Sequence, residues 1–253
     1  MKFLFMGNNR LGLEVLGWLL ERSEVPAGLV LHPPAKAHLR EDMIRLVQGR
    51  GVEVFDGSRL EDPLVLERIR GLGCELALSV LFAYVLRRDF LDMFPAGCVN
   101  LHPSYLPYNR GAYPNVWSIV EGTPAGATLH YIDEGLDTGD IIARQEVAVQ
   151  PWDTGKSLYH KLERVALELF TRTWPLLREG RAPRHPQPAG QGSFHRVKDV
   201  ERIDCIDLKR SYRAGELIDI LRARTFPPYP GAYFIHQGKK IYLRLELIKE
   251  EDL

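Results

Sequence analysis

The feature that most constrains this chain is a change of period repeated through its N-terminal part. Short stretches apolar on both faces are each followed by apolar residues at helical spacing. Residues 2–6 read as a strand and Gly7-Asn8-Asn9 as a turn; Leu11, Val15, Leu16 and Leu19 then recur along one helix face. Further strands are expected at 27–31, 52–55, 76–81 and 97–102, with helices over 39–47, 60–72 and 89–93 between them. Strands of this kind need a parallel sheet covered on both sides. The expected fold class is therefore α/β, a Rossmann-like domain.

From Ala127 the pattern changes. Residues 127–133 and 140–149 look like two strands joined by a polar, glycine-bearing turn. Asp153 or Thr154 can cap a long helix whose apolar face is Leu158, Leu162, Val165, Leu169 and Leu176-Leu177. Pro183, Pro186 and Pro188, with two glycines, suggest a linker or an extended crossing segment over 182–192. Residues 214–224 read as a helix, 226–231 as a rigid turn, and 232–236 with 240–247 as a hairpin. The expected organisation is a catalytic domain over 1–180, a linker over 181–200, and a small C-terminal subdomain of helix plus β-hairpin over 201–253.

Composition narrows the function classes. The chain has 253 residues, 33 basic and 33 acidic, for a formal charge of zero. That balance argues against broad nucleic-acid binding, which concentrates positive charge, yet allows a small anion held by a few local cations. Cys74, Cys98 and Cys205 form no CxxC pair, so neither a zinc site nor a disulfide framework is expected. The apolar run at the start is too short for a signal-peptide core, and no stretch is suited to span a bilayer. A soluble, cytoplasmic protein is the expectation.

Two segments could carry chemistry. Asn100-Leu101-His102-Pro103-Ser104-Tyr105-Leu106-Pro107 begins where the strand over 97–102 ends, and ligands of parallel sheets bind outside the carboxyl ends of the strands. Asn100 and His102 are two apart and share a face on an extended strand. An amide beside an imidazole suits a developing oxyanion, with the histidine also able to move protons. A histidine that merely hydrogen-bonds the loop backbone is the competing account. The second segment, Asp133-Glu134-Gly135-Leu136-Asp137-Thr138-Gly139-Asp140, is acidic, but its spacing does not match a calcium loop. A plain turn competes with a ligand loop there, and Gly135 and Gly139 would permit close backbone approach.

Taken together, Asn100-x-His102, Ser104-x-Leu106-Pro107 with Arg110-Gly111, and Leu136-Asp137-Thr138-Gly139-Asp140 resemble the motifs of the N10-formyltetrahydrofolate-dependent formyltransferases. The resemblance runs from the first strand to about residue 180. It implies a catalytic trio of Asn100, His102 and Asp137, with N10-formyltetrahydrofolate as co-substrate and no metal. In the mechanism so implied, a neutral amine attacks the formyl carbon while Asn100 and protonated His102 stabilise the oxyanion. Asp137 favours the imidazolium and takes up the proton the amine loses, directly or through water. The resemblance also places the pterin against the loop after the fourth strand and the acidic loop, here Phe82, Tyr84, Val85, Leu86, Asp133 and Gly135. Core packing is the competing account for Phe82 and Leu86.

Members of that family differ in the amine they formylate. The tRNA-modifying branch carries a complete C-terminal barrel, whereas the 29 residues after Arg224 fit two or three strands. The branch acting on glycinamide ribonucleotide shares the trio but lacks a tail like Phe226-Pro227-Pro228-Tyr229-Pro230-Gly231. Its histidine is also usually followed by glycine where Pro103 stands here. The hydrolytic branch carries an extra N-terminal domain, and this chain starts at the first strand. The resemblance is greatest to the nucleotide-linked amino-sugar N-formyltransferases, which implies a dTDP-, UDP- or GDP-linked 3- or 4-amino-dideoxy sugar made for surface polysaccharides. It also implies a homodimer with neither nucleic acid nor membrane as partner.

Candidates for the acceptor are Asn8, Asn9 and Arg10, where phosphates often meet a helix N-terminus, and Arg110 for the amine or diphosphate. Tyr105, Tyr113, Tyr229 and Tyr233 are candidates to line the base or sugar. Turn chemistry competes for the first group and core burial for the tyrosines. Two other classes are weighed. A nicotinamide-dependent reductase would need a glycine pattern that Gly7-Asn8-Asn9-Arg10-Leu11-Gly12 lacks. A non-catalytic sugar-nucleotide binder would have lost the trio, which is intact.

Overall fold

Every residue of β1 (Phe3–Gly7) is buried, a state that requires cover over both faces. The elements that follow are α1 (Asn9–Glu21), β2 (Gly28–Leu31), α2 (Arg40–Val47), β3 (Glu53–Asp56), α3 (Pro63–Gly71), β4 (Leu76–Val80), α4 (Arg88–Leu91) and β5 (Gly97–His102). After them come β6 (Arg110–Gly111), α5 (Pro114–Val120), β7 (Ala125–Tyr131), β8 (Ile141–Val147), α6 (Gly155–Arg178), β9 (Phe194–His195), α7 (Glu201–Asp204), α8 (Ala214–Ala223), β10 (Tyr233–His236) and β11 (Lys239–Tyr242). This computed structural model describes residues 1–253, apart from the side chain of Asp252. The chain forms two compact units. The first is Met1–His102 with Thr128–Arg144 and Ala166–Gln187; the second is Pro103–Ala127 with Gln145–Val165 and Pro188–Leu253.

A seven-stranded sheet runs in the order β3-β2-β1-β4-β5-β7-β8. The first five strands are parallel, as the alternating pattern requires. β7 then pairs antiparallel with β5, close to the residue where the sequence pattern changes. Within the first unit, Leu4, Met6, Val30, Phe55, Ile69, Ala77 and Cys98 share one apolar cluster. Phe3 and Phe5 alternate with Leu4 and Met6 and so face the other way. There Phe3 meets Trp174 of α6 edge-on at 5.1 Å, and Trp18 of α1 meets Phe170 at 5.7 Å. Full burial of such side chains is worth about 1.5–3 kcal/mol each.

Caps set the helix starts. Asp62 accepts from the Leu64 N–H and Pro63 takes the first helical position, so α3 begins later than the apolar spacing suggested. The backbone N–H groups of Thr154 and Ser157 each bond the other residue's hydroxyl, at 3.0 and 3.2 Å, where α6 begins.

In the second unit, α5 and α8 pack around Val116, Trp117, Leu158, Leu162 and Ala223. The β10–β11 hairpin pairs Tyr233 with Tyr242 and rests beside a smaller cluster of Ile206, Ile220 and Ala232. α5 was not expected from sequence. Its seven residues start at Pro114, after a left-handed Tyr113. The segment expected as a linker carries structure as well: β9 pairs with β6, and Val197–Val200 is a 3-10 turn.

Candidate active site

β5 brings Asn100 and His102 to its carboxyl end, with Asn100 opposite Ser79 of β4 and His130 of β7. The Ser79 hydroxyl donates to Asn100 Oδ1 at 2.9 Å. On the other side, Asn100 Nδ2 lies 3.3 Å from His130 Nε2. His130 Nδ1 is 2.8 Å from the Tyr131 carbonyl, which can only accept, so the proton is assigned to Nδ1. Nε2 then accepts from the Asn100 amide. The amide is thus oriented from both ends, and its second N–H is directed by the framework rather than by chance.

Asp137 stands between two imidazoles. Its carboxylate oxygens are 3.6 Å from His102 Nε2 and 3.5 Å from His130 Nε2. His102 is 7% exposed and His130 1%. These separations are longer than a good hydrogen bond and within the range of a close electrostatic contact.

The loop carrying Asp137 is held by its backbone. Asp137 adopts a left-handed φ of 54°, which a short polar side chain tolerates. The Gln187 amide donates to the carbonyls of Asp137 at 2.8 Å and Gly139 at 2.9 Å. Gly139 admits no side chain, because an added Cβ would run into the Tyr131 carbonyl. Asp133 Oδ1 accepts from the Gly135 N–H at 3.0 Å and the Thr138 hydroxyl at 2.6 Å. A Cβ at Gly135 would strike that same threonine. The Asp133 carboxylate therefore braces the loop. Among the described residues, no group of three His, Cys, Asp or Glu could hold a metal ion, and no helix is long and apolar enough to cross a membrane.

Around the loop after β4, Phe82, Tyr84 and His32 form an aromatic group with centroids 5.1–5.3 Å apart. Leu86 is buried in the core, while Val85 is 76% exposed. Asn8 is buried; its Oδ1 accepts from the His38 N–H at 2.9 Å and its Nδ2 lies 3.3 Å from His32 Nδ1. The Ala83 N–H donates to His32 Nε2 at 3.1 Å. Burial holds the His32 imidazole below its ordinary pKa, partly opposed by a bond to the Lys36 backbone. Asn9 is left-handed, with φ of 58°, and Arg10 pairs with Glu14 at 3.3 Å.

In the second unit, the other candidates stand in separate settings. Tyr105 is half-buried, and the Arg110 N–H donates to the Ser193 carbonyl at 3.0 Å. Tyr113 is exposed at the start of α5. Tyr229 lies against Phe226, and Tyr233 faces Tyr242 with the Lys240 ammonium 4.2 Å above its ring.

Sequence reasoning missed Ser79, His130, Gln187 and His32. A lone serine in Leu76–Val80 and a histidine in the buried strand Ala125–Tyr131 were signals that could have been followed. Gln187 gave none, because its role depends on a distant loop.

Residues 23–173 match the formyl transferase family, and residues 199–249 match the N-formyltransferase dimerization C-terminal domain. The chain is 36% identical over 239 residues to a methionyl-tRNA formyltransferase of Symbiobacterium thermophilum, covering 92% of this chain and 72% of that protein. A 4-N formyltransferase from Francisella tularensis has the same fold, with a TM-score of 0.83, 27% identity and 98% of each chain covered. A formyltransferase from Anoxybacillus kamchatkensis was solved with UDP-4,6-dideoxy-4-formamido-L-AltNAc and tetrahydrofolate. It is 33% identical, with a TM-score of 0.61, covering 80% of this chain and 89% of that one. The family match spans more than half of the sequence and includes all three motif residues gathered near the end of β5, so the chain belongs to the formyl transferase family.

Proposed function

We propose that this formyltransferase moves the formyl group of N10-formyltetrahydrofolate to the C-4 amine of a nucleotide-linked 4-amino-dideoxyhexose. The observation that carries the reading is the end-to-end likeness to a 4-N formyltransferase, 98% of each chain at a TM-score of 0.83. A sugar-nucleotide product bound to a second relative supports it. The identity to a methionyl-tRNA enzyme favours tRNA as the other acceptor. Against tRNA stand the zero net charge and the C-terminal match to a dimerization domain. That match also supports a homodimer.

The cluster supports the following catalytic roles. The acceptor amine attacks the formyl carbon, and negative charge gathers on the formyl oxygen. The second N–H of Asn100, steered by Ser79 and His130, is placed to donate to that oxygen, and His102 is placed to donate beside it. Asp137, against both imidazoles, holds the proton at His102 and accepts the one the attacking amine releases. Collapse of the tetrahedral adduct then breaks the bond to N10, which takes up the proton that Asp137 accepted, directly or through water, and leaves as tetrahydrofolate. The loop around Phe82 and Tyr84 is proposed to contact the pterin.

Turnover with N10-formyltetrahydrofolate, measured against 3- and 4-amino-dideoxy sugars on dTDP, UDP and GDP beside glycinamide ribonucleotide and initiator tRNA, tests the acceptor. Preference for a 4-amino sugar nucleotide supports the proposal. Preference for tRNA or glycinamide ribonucleotide, with sugar nucleotides inert, would overturn it.

A further inference from the structure

His32, one residue past the end of β2, is 5% exposed and packs against the loop that follows β4. The Ala83 N–H of that loop donates to His32 Nε2 at 3.1 Å. Among the described residues, no other hydrogen bond joins residues 82–86 to the rest of the chain. The rings of Phe82 and Tyr84 stand edge-on to the imidazole, each with its centroid 5.1 Å away. Leu81 opens the loop with a left-handed φ of 53°, which a bulky apolar residue keeps only where its surroundings hold it. We propose that His32 is a positioning residue for the folate co-substrate, its Nε2 fixing the Ala83 backbone and with it the conformation of the loop after β4. The proposal rests on the reading above that this loop contacts the pterin.

The direction of the bond gives it a chemical signature. A backbone N–H can only donate, so Nε2 carries no proton and the neutral ring holds its proton at Nδ1. Protonation would add an N–H at Nε2, set donor against donor, and leave the Ala83 N–H without that acceptor. The titratable and charged groups facing the ring are Lys36 and His38 on its own loop, Asp56 at the end of β3, and Tyr84 on the loop after β4. Burial holds the imidazole below its ordinary pKa of 6.5. The bond to the Lys36 backbone and the Asp56 charge oppose that shift, while His38 and the Lys36 ammonium add to it. The contact is therefore made at neutral pH and lost as pH falls through the folded value.

Calorimetric binding of 5-formyltetrahydrofolate to the wild type, His32→Phe and His32→Gln tests the role. His32→Phe keeps a ring in place but removes the acceptor. Its Kd should rise roughly threefold to tenfold at about pH 7.5, with the KM for N10-formyltetrahydrofolate rising alongside and kcat little changed. His32→Gln offers a carbonyl oxygen to Ala83, so its binding should lie close to that of the wild type. Between about pH 7.5 and about pH 5.5 the wild type should lose affinity by a similar factor, and His32→Gln, which does not titrate, should lose less. Unchanged binding in His32→Phe, or an equal loss with pH in the wild type and His32→Gln, would overturn the proposal. Phe82→Ala and Tyr84→Ala test the underlying reading. If both leave folate affinity untouched, the loop does not hold the pterin, and that reading fails together with this proposal. If they weaken binding while His32→Phe does not, only the role of His32 fails.

Discussion

The role proposed for Asn100 depends on its orientation, which is fixed by one hydroxyl and one imidazole. Replacing it with alanine should lower kcat on the order of 100- to 1,000-fold, the usual cost of one oxyanion donor. Folate binding, measured by fluorescence titration, should change little. His130 lies against Asn100 and Asp137, so the role proposed for it is to position Asn100. His130→Phe leaves the Asn100 amide short of its acceptor, a loss of about 1–3 kcal/mol, or roughly tenfold to a hundredfold in kcat/KM. Partial rescue by His130→Gln, which can still accept from Asn100, would set this role apart from a merely structural one. His32 gives a pH signature. Burial, aided by Lys36 and His38, places its folded pKa below the ordinary 6.5. Between those values the unfolded chain binds the extra proton, so stability rises with pH and is lost as pH falls below about 6.5. The drop in urea midpoint from neutral pH to about pH 5 should be smaller in His32→Gln than in wild type.

At the scale of the elements, the β7–β8 loop is the most constrained part of the site. Gly139→Ala forces a methyl into the Tyr131 carbonyl. Overpacking of this kind costs about 1–3 kcal/mol, so the denaturation midpoint should fall and activity should fall with it as Asp137 shifts. This loop also shows where sequence reading ends. The parallel strands were legible because burial on both faces leaves a continuous apolar signature, and Asn100, His102 and Asp137 could be proposed as a trio because their motifs are local. Ser79, His130 and Gln187 were not, because each meets the proposed trio only through pairing of β5 with its neighbours or through a return of the chain after α6. α5 was hidden for a different reason: seven residues after a proline give too little periodicity to read. Leu86, proposed for folate, is buried in the core, so any pterin contact in that loop falls to Phe82, Tyr84 or the backbone.

For the whole molecule, the C-terminal match and the surface of the β10–β11 hairpin point the same way. Ile235 and Tyr242 remain 55% and 51% exposed on that hairpin, apolar surface that a second copy would cover. Light scattering should give twice the mass of one chain for the wild type, and Ile235→Glu should shift it toward the monomer. A monomeric wild type would contradict the homodimer. The zero net charge bears on partners at the same scale, since the chain as a whole carries no excess of positive charge to draw tRNA to it. The central claim, that Asn100, His102 and Asp137 together transfer a formyl group to a sugar amine, is tested most directly by one rate comparison. Tetrahydrofolate release from N10-formyltetrahydrofolate, with a nucleotide-linked 4-amino-dideoxyhexose as acceptor, would be followed for wild type and Asp137→Asn. The account predicts formylated sugar nucleotide and tetrahydrofolate in equal amounts from the wild type, and a loss of at least two orders of magnitude in the variant. Equal rates from the two proteins, or tetrahydrofolate released without any formylated sugar, would contradict it.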